Sequence, residues 1–303
     1  MAGGFLKRYR LKKFTKTRIA PTPSGFLHLG NVLSFVVTAA LARKTGASIL
    51  LRIDDLDRER TKDVYVQDIF DTLRFMGIPW DEGPADAVEF ERTWSQVHRM
   101  ESYRRALGQL RLAGAIFACS CSRAAGVSGG CPGGCRERGL SLDASGVSWR
   151  FRTEALAQGL SVKTIDGARV AAVLPPEMRD FVVMKKDGFP AYQLTSVLDD
   201  VYYGVDLIVR GDDLWPSTLA QHCLSYALGA AGFREIAFYH HALLVGDGGG
   251  KLSKSSGDTS IRFLRQSGLT PSNIYSLILR KLGMEGEVRG WEELGVMLGF
   301  GLL

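Results

Sequence analysis

A histidine and a pair of lysines, far apart in the chain, are the groups best suited to handling phosphate. His28 stands at the end of Arg18-Ile19-Ala20-Pro21-Thr22-Pro23-Ser24-Gly25-Phe26-Leu27-His28-Leu29-Gly30-Asn31. An imidazole there can donate a hydrogen bond to a phosphate oxygen as charge develops on it. Gly30 lets a nucleotide come close to the backbone. The lysines are Lys251 and Lys254 of Lys251-Leu252-Ser253-Lys254-Ser255, preceded by Gly246-Asp247-Gly248-Gly249-Gly250. On a glycine-hinged loop they can close over a triphosphate and offset the charge shed as pyrophosphate leaves. Taken singly, a histidine before a helix is an ordinary cap and a Lys/Ser loop is ordinary surface. Together they point to a nucleotide.

A second chemistry sits in the cysteines. Four of the five fall in Cys119-Ser120-Cys121 and Cys131-Pro132-Gly133-Gly134-Cys135. Clustering without an even disulfide framework argues for a metal first. Four soft thiolates suit one closed, tetrahedral, structural zinc ion, and they exclude magnesium and calcium. A loop so rich in Gly and Ser has little core of its own to hold it without metal. Cys223, on a predicted helix, reads as a core residue.

These groups need elements to position them. Thr17 to Ala20 reads as a short strand ended by the Pro/Gly segment. A helix follows from about Asn31 to Lys44, with Gly46 just past its end. His28 and Gly30 then lie between strand and helix, where α/β sheets bind ligands and helix N-termini favour negative charge. Ser48 to Ile53 is β-rich, and Lys62 to Met76 is helical up to Gly77. Strand, helix, strand, helix implies βαβ units and a parallel sheet. About Trp80 to Glu177 breaks the rhythm with irregular segments and reads as an insertion. The βαβ pattern resumes with strands at Phe181–Met184 and Asp206–Val209, a helix over Ser217–Leu228 and a strand near Phe238–Val245. A last helix starts near Thr270-Pro271-Ser272.

Composition narrows the class. The chain has 303 residues, 46% hydrophobic and 23% charged, which describes an ordinary globular protein. The longest apolar run, Asn31 to Ala42, is too short to span a bilayer. No secretory pattern follows the first basic residues, so a cytoplasmic, membrane-free location is expected. The net charge is +6, and no acidic residue precedes Asp54. Lys7, Arg8, Arg10, Lys12, Lys13, Lys16 and Arg18 form a basic arm that is either a solvated terminus or a phosphate-binding one.

The paired phosphate segments resemble the two ATP motifs of the class I aminoacyl-tRNA synthetases. His28-Leu29-Gly30-Asn31 is similar to the first and Lys251 to Ser255 to the second. The closer similarity is to the glutamyl subgroup. Its sequences open with Arg-x-Ala-Pro-Ser/Thr-Pro-x-Gly, as Arg18 to Gly25 does, and continue with Arg-Ile-Glu-Asp and Trp-Asp-Glu-Gly-Pro. Arg52-Ile53-Asp54-Asp55 and Trp80 to Pro84 stand in those places. Further matches run through Asp187 to Leu194, Val197 to Asp200 and Val209 to Leu214.

That resemblance implies an α/β fold: a Rossmann-like parallel-sheet catalytic domain with a zinc-containing insertion. The expected organisation is a basic arm (1–16), a first catalytic half (17–79), an acceptor-binding insertion (80–179), a second catalytic half (180–257) and a short helical end (258–303). It also implies site roles. Arg18 would pair with the side-chain carboxylate of L-glutamate in a pocket formed with Ile19, Ala20, Pro21 and Thr22. Asp54 would meet the α-ammonium, with Tyr192 and Arg210 as later substrate contacts. ATP, with Mg2+, would meet His28, Gly30, Asn31, Lys251 and Lys254. Two departures stand out. Asn31 replaces the second histidine of the first motif, and Asp54 replaces the usual glutamate, as glutaminyl enzymes also do. Zinc would be held by Cys119, Cys121, Cys131 and Cys135, with Cys131 where the subgroup has tyrosine.

Only 48 residues (303 − 255) follow Ser255, too few for the helical anticodon-binding region of full glutamyl enzymes. The expectation is a monomeric enzyme that forms glutamyl-adenylate without tRNA and transfers glutamate to queuosine in tRNA(Asp). The alternative is a catalytic fragment of a glutamyl- or glutaminyl-tRNA synthetase that charges a tRNA 3′ end. A silent RNA-binding module is a third reading, disfavoured by the presence of both His28 and Lys254.

Overall fold

The computed structural model describes residues 12–121, 131, 134–156, 159–244 and 260–301. In chain order the elements begin with β1 (Lys16–Ile19), α1 (Leu29–Thr45), β2 (Ser48–Leu51), α2 (Asp63–Phe75) and the single turn α3 (Ala87–Glu89). There follow α4 (Met100–Leu112), β3 (Ile116–Cys119), β4 (Ser148–Phe151), β5 (Leu160–Thr164), β6 (Arg169–Ala172) and β7 (Val182–Met184). Next come α5 (Tyr192–Tyr202), β8 (Leu207–Gly211), α6 (Trp215–Ala227), α7 (Ala231–Arg234) and β9 (Ala237–His241). The last are α8 (Ile261–Gln266), α9 (Pro271–Lys281) and α10 (Trp291–Gly295). Contacts divide the chain into two units, Met1–Gln96 with Asp206–Asp212 and Tyr239–Leu303, and Val97–Val205 with Asp213–Phe238.

In the first unit β1 and β2 pair in parallel, with Arg18 opposite Leu50, and α1 is the crossover between them. α1 ends as its sequence predicts. Gly46 takes a left-handed φ of 79° and its N–H returns to Ala42 O, while Arg43 and Lys44 complement the last turn. Val32, Leu33, Phe35, Val36 and Val37 are all buried, so no polar stripe interrupts its middle. Each such side chain contributes about 1.5–3 kcal/mol by leaving water. The Trp80–Pro84 segment borders β2: Leu51 N donates to Glu82 O, and Ile49 N to the Asp81 carboxylate at 2.7 Å. Gly83 has φ 111°, and a Cβ there would lie 2.3 Å from Leu51 O, so only glycine fits. β8 is tied to β1 where Asp206 N meets Lys16 O at 3.0 Å and the Asp206 carboxylate accepts from Thr15 N and Lys16 N.

The second unit is more ordered than the sequence suggested. α4 buries Tyr103, Ala106, Leu107 and Leu110 at helical spacing, a signal diluted by its three arginines and Glu101. Asp199 of α5 accepts both nitrogens of Arg99, at 2.9 and 3.0 Å, and the Tyr103 hydroxyl at 2.7 Å, which joins α5 to α4. β7, expected to rejoin the parallel pattern, instead pairs antiparallel with β4, itself antiparallel to β3. Antiparallel neighbours need no helical crossover of the kind that parallel ones require. β5 pairs antiparallel with β6 and, through Lys163 and Thr164, parallel with the first residues of β9. No helix among the described residues is long and apolar enough to cross a membrane.

Candidate active site

The start of α1 is built around a histidine cap. His28 is the N-cap, in an extended conformation, and its Nδ1 accepts from Gly30 N at 3.1 Å. Asn31 returns the favour, its Oδ1 accepting from His28 N at 3.0 Å, which completes a capping box. An Nδ1 that accepts carries no proton, so in the neutral ring the proton sits on Nε2. The cap thus selects the tautomer able to donate to a phosphate oxygen. Gly30 serves this arrangement: a Cβ there would lie 3.0 Å from His28 Cε1 and push the ring away. The helix N-terminus itself favours an anion.

The turn leading into the cap is held from two elements. Leu27 N donates to the Asp68 carboxylate of α2 at 3.0 Å, and Leu27 O accepts from Ile261 N at 2.8 Å. His28 and Ser260 form an antiparallel bridge. Ser34, on α1, meets His241 Nε2 at 2.7 Å. Lys251 and Lys254 lie outside the described residues.

Of the expected glutamate contacts, Arg18 and Arg210 come from β1 and β8, and both are buried. Arg18 Nη1 reaches Val209 O at 3.3 Å, so the two guanidinium-bearing strands meet. Asp54 is held in a bidentate pair by Arg52, at 2.7 and 3.0 Å, and both side chains are buried. Its backbone N donates to Pro21 O at 3.0 Å. Ile19 is core, whereas Ala20 is half-buried and Thr22 exposed. Tyr192 begins α5 in the second unit, where Gln193 Nε2 donates to Ser217 Oγ at 3.1 Å.

Asp68 and Arg52 were not singled out by sequence reasoning. For Asp68 a signal existed: it is a carboxylate beside the buried Val66, Ile69, Phe70 and Leu73 of an amphipathic helix. Arg52 stands in a motif whose acids drew the attention.

The four clustered cysteines, in the second unit, converge. Their sulfurs lie within 4.8 Å of one another. Cys119–Cys131, Cys121–Cys131 and Cys121–Cys135 are 3.6, 3.9 and 3.5 Å apart, against the edge of about 3.8 Å for a tetrahedron with 2.3 Å metal–sulfur bonds. The donor set therefore fits a metal ion of zinc's size and softness. Arg138 Nη2 donates to Cys135 Sγ at 2.7 Å, and Lys186 Nζ to Ser120 O at 2.7 Å. Burial works to raise the Cys135 thiol, yet the Ser120 N–H and neighbouring thiols bring it down to about 6. Phe117 and Leu140 pack against the cluster. Cys223 is a core residue whose thiol burial pushes up to about 12.

Comparison with known proteins agrees with this geometry. The sequence pattern of the family described as tRNA synthetases class I (E and Q), catalytic domain, matches residues 15–125 and 147–295. The glutamyl-Q tRNA(Asp) synthetase of Symbiobacterium thermophilum is 36% identical over 276 residues, with 85% of this chain and 83% of that protein covered. A glutamate–tRNA ligase of Gluconacetobacter diazotrophicus is 33% identical, but this chain spans only 60% of its length. Among solved structures, a glutamate tRNA ligase from Elizabethkingia meningosepticum superposes with a TM-score of 0.69 at 20% identity, covering 93% of this chain and 64% of that one. That likeness concerns the fold. With its capped histidine, its buried arginines and a family pattern running through both units, the chain belongs to the class I tRNA synthetases of the E and Q type, ligases of the aminoacyl-tRNA synthetase kind, and matches their catalytic domain.

Proposed function

We propose that the chain activates L-glutamate with ATP, without tRNA, and then transfers the glutamyl group to queuosine in tRNA(Asp). The observation that carries this reading is the His28 cap, whose neutral tautomer carries its proton on Nε2 at a helix N-terminus, in the same unit as the buried Arg18 and Arg210. The relative named as a glutamyl-Q tRNA(Asp) synthetase, with 83% of its length covered, supports the acceptor.

In this reading a carboxylate oxygen of glutamate attacks the α-phosphorus of ATP. The new P–O bond gives glutamyl-adenylate, and the α–β bridge breaks to release pyrophosphate. Arg18 holds the side-chain carboxylate, for which a guanidinium fork is well shaped. Arg210 and Tyr192 complete the substrate contacts, and Ala20 and Thr22 line the pocket. Asp54, oriented by Arg52, keeps lone pairs for the α-ammonium. His28, Gly30, Asn31, Lys251 and Lys254 receive the nucleotide. A magnesium ion accompanying ATP would neutralise charge on the departing pyrophosphate. The protein contributes position and charge stabilisation. In the second step a hydroxyl of the acceptor attacks the glutamyl carbonyl carbon, AMP leaves, and the hydroxyl proton passes to solvent. Cys119, Cys121, Cys131 and Cys135 would hold one structural zinc ion within residues 80–179, the segment assigned to the acceptor. A monomer working in the cytoplasm completes the reading.

The test is glutamate-dependent ATP–pyrophosphate exchange without tRNA, run beside glutamine and aspartate, then transfer to tRNA(Asp) with and without queuosine. Exchange with glutamate alone and transfer only with queuosine are expected. The 60% coverage of the glutamate–tRNA ligase favours a second reading, a catalytic portion that charges a tRNA 3′ end. Transfer independent of queuosine would select it.

A further inference from the structure

α2 presents one apolar face, and Asp68 interrupts it at 3% exposure. Burial raises its carboxyl above the ordinary value, against the Leu27 N–H and the guanidiniums of Arg262 and Arg265. A buried carboxylate is costly unless it holds something. What Asp68 holds is the Leu27 amide, at 3.0 Å.

That amide belongs to a doubly tethered residue. The carbonyl of Leu27 accepts from Ile261 N at 2.8 Å, and His28 bridges Ser260. Ser260 and Ile261 follow directly on residues 245–259, which include Lys251 and Lys254. On the other side of those residues, His241 Nδ1 meets Ala242 O at 2.9 Å and so donates, leaving Nε2 to accept from the Ser34 hydroxyl at 2.7 Å. The chain before and after residues 245–259 is thus tied to one short stretch, Leu27 to Ser34, which also bears His28, Gly30 and Asn31.

We propose that Asp68 is a positioning residue for the nucleotide step: it holds Leu27, and through that one residue it sets both the His28 ring and Ser260–Ile261 at the start of α8. The proposal rests on the reading that this site binds and activates ATP. It goes beyond that reading by assigning a role to a side chain that touches neither substrate. Arg18 and Arg210 are carried by β1 and β8, so Asp68 should govern ATP and not glutamate.

The experiment compares the wild-type chain with Asp68→Ala, Asp68→Asn and Ile261→Pro in tRNA-independent exchange, with thermal unfolding and calorimetric ATP binding on each. Asparagine keeps an oxygen acceptor for Leu27. Proline at the first helical position removes only the Ile261 donor, where helices tolerate it. The expected result is a fall of about 10–100-fold in kcat/KM for ATP with Asp68→Ala, the scale of a small misplacement. KM for glutamate should stay within about twofold, Asp68→Asn should recover to within about threefold, and Ile261→Pro should weaken ATP in the same direction. Equal losses for ATP and glutamate, or Asn no better than Ala in a folded protein, would overturn the proposal. If Asp68→Ala does not fold, Asp68→Asn and Ile261→Pro decide it: wild-type ATP parameters in Ile261→Pro would sink it. A wild-type chain that binds ATP without glutamate-dependent exchange would remove the activation reading alone, and the ATP affinities would then judge Asp68. No ATP binding at all would overturn both.

Discussion

At the start of α1 the polar groups are held by backbone: His28 Nδ1 by Gly30 N, Asn31 Oδ1 by His28 N, Leu27 by Asp68 and Ile261. In the cysteine cluster the sulfurs mostly meet one another, at 3.5–3.9 Å, with the Arg138 guanidinium against Cys135. The first region has its geometry from helix, strand and cap, and a ligand would find it ready. The second gathers four groups that repel once ionised and that could hold a metal ion. Preorganisation lies in the fold in the first case, and in the second a bound ion would supply it.

Metal removal should break the comparison most strongly. Cys135→Ser, or a chelator, should take zinc from about one equivalent to less than half, with loss of local order, since such sites contribute roughly 10–16 kcal/mol in small peptides. Elemental analysis and limited proteolysis measure this, and tRNA-independent exchange should persist. Alkylation after chelation should mark the cluster but spare Cys223, whose buried thiol stays protonated at neutral pH. Exchange lost together with zinc would mean that the two regions are not separable.

His28 tests the other side. His28→Ala should lower the exchange rate by about 10²–10³, the range for one lost donor to developing charge, and cost about 1 kcal/mol of cap in thermal unfolding. His28→Asn should restore the cap, because asparagine is a strong N-cap, while leaving exchange low. Recovery of both by asparagine would reduce His28 to a cap.

Two smaller changes sharpen the contrast. Arg138→Ala should speed zinc loss to a competing chelator by about 10–100-fold, the usual weight of an outer-sphere partner, with Arg138→Lys between. Retention should also decline on the acid side, because protons compete for the thiolates. Gly30→Ala, with its Cβ 3.0 Å from His28 Cε1, should lower exchange by about tenfold, equivalent to roughly 1.4 kcal/mol, without altering zinc content.

Local chemistry was readable from the chain alone. Gly46 stops α1, Thr270 caps α9 with Pro271 behind it, and four cysteines in one segment come together as a group that could hold a soft metal. The histidine at the start of α1 was readable as a cap, which the structure bears out; its phosphate role is the one proposed above. These features depend on neighbours a few residues away, so residue type and spacing suffice.

What the folded chain alone decided are the partners across long separations. Leu27 finds Asp68, Arg99 finds Asp199, Ser34 finds His241, and β7 turns antiparallel to β4. Even Arg52 and Asp54, two residues apart, become a buried pair only because the surrounding sheet shuts out water. A charge in a sequence looks the same whether it ends in solvent or in a core. Burial chooses its partner, and burial belongs to the tertiary structure.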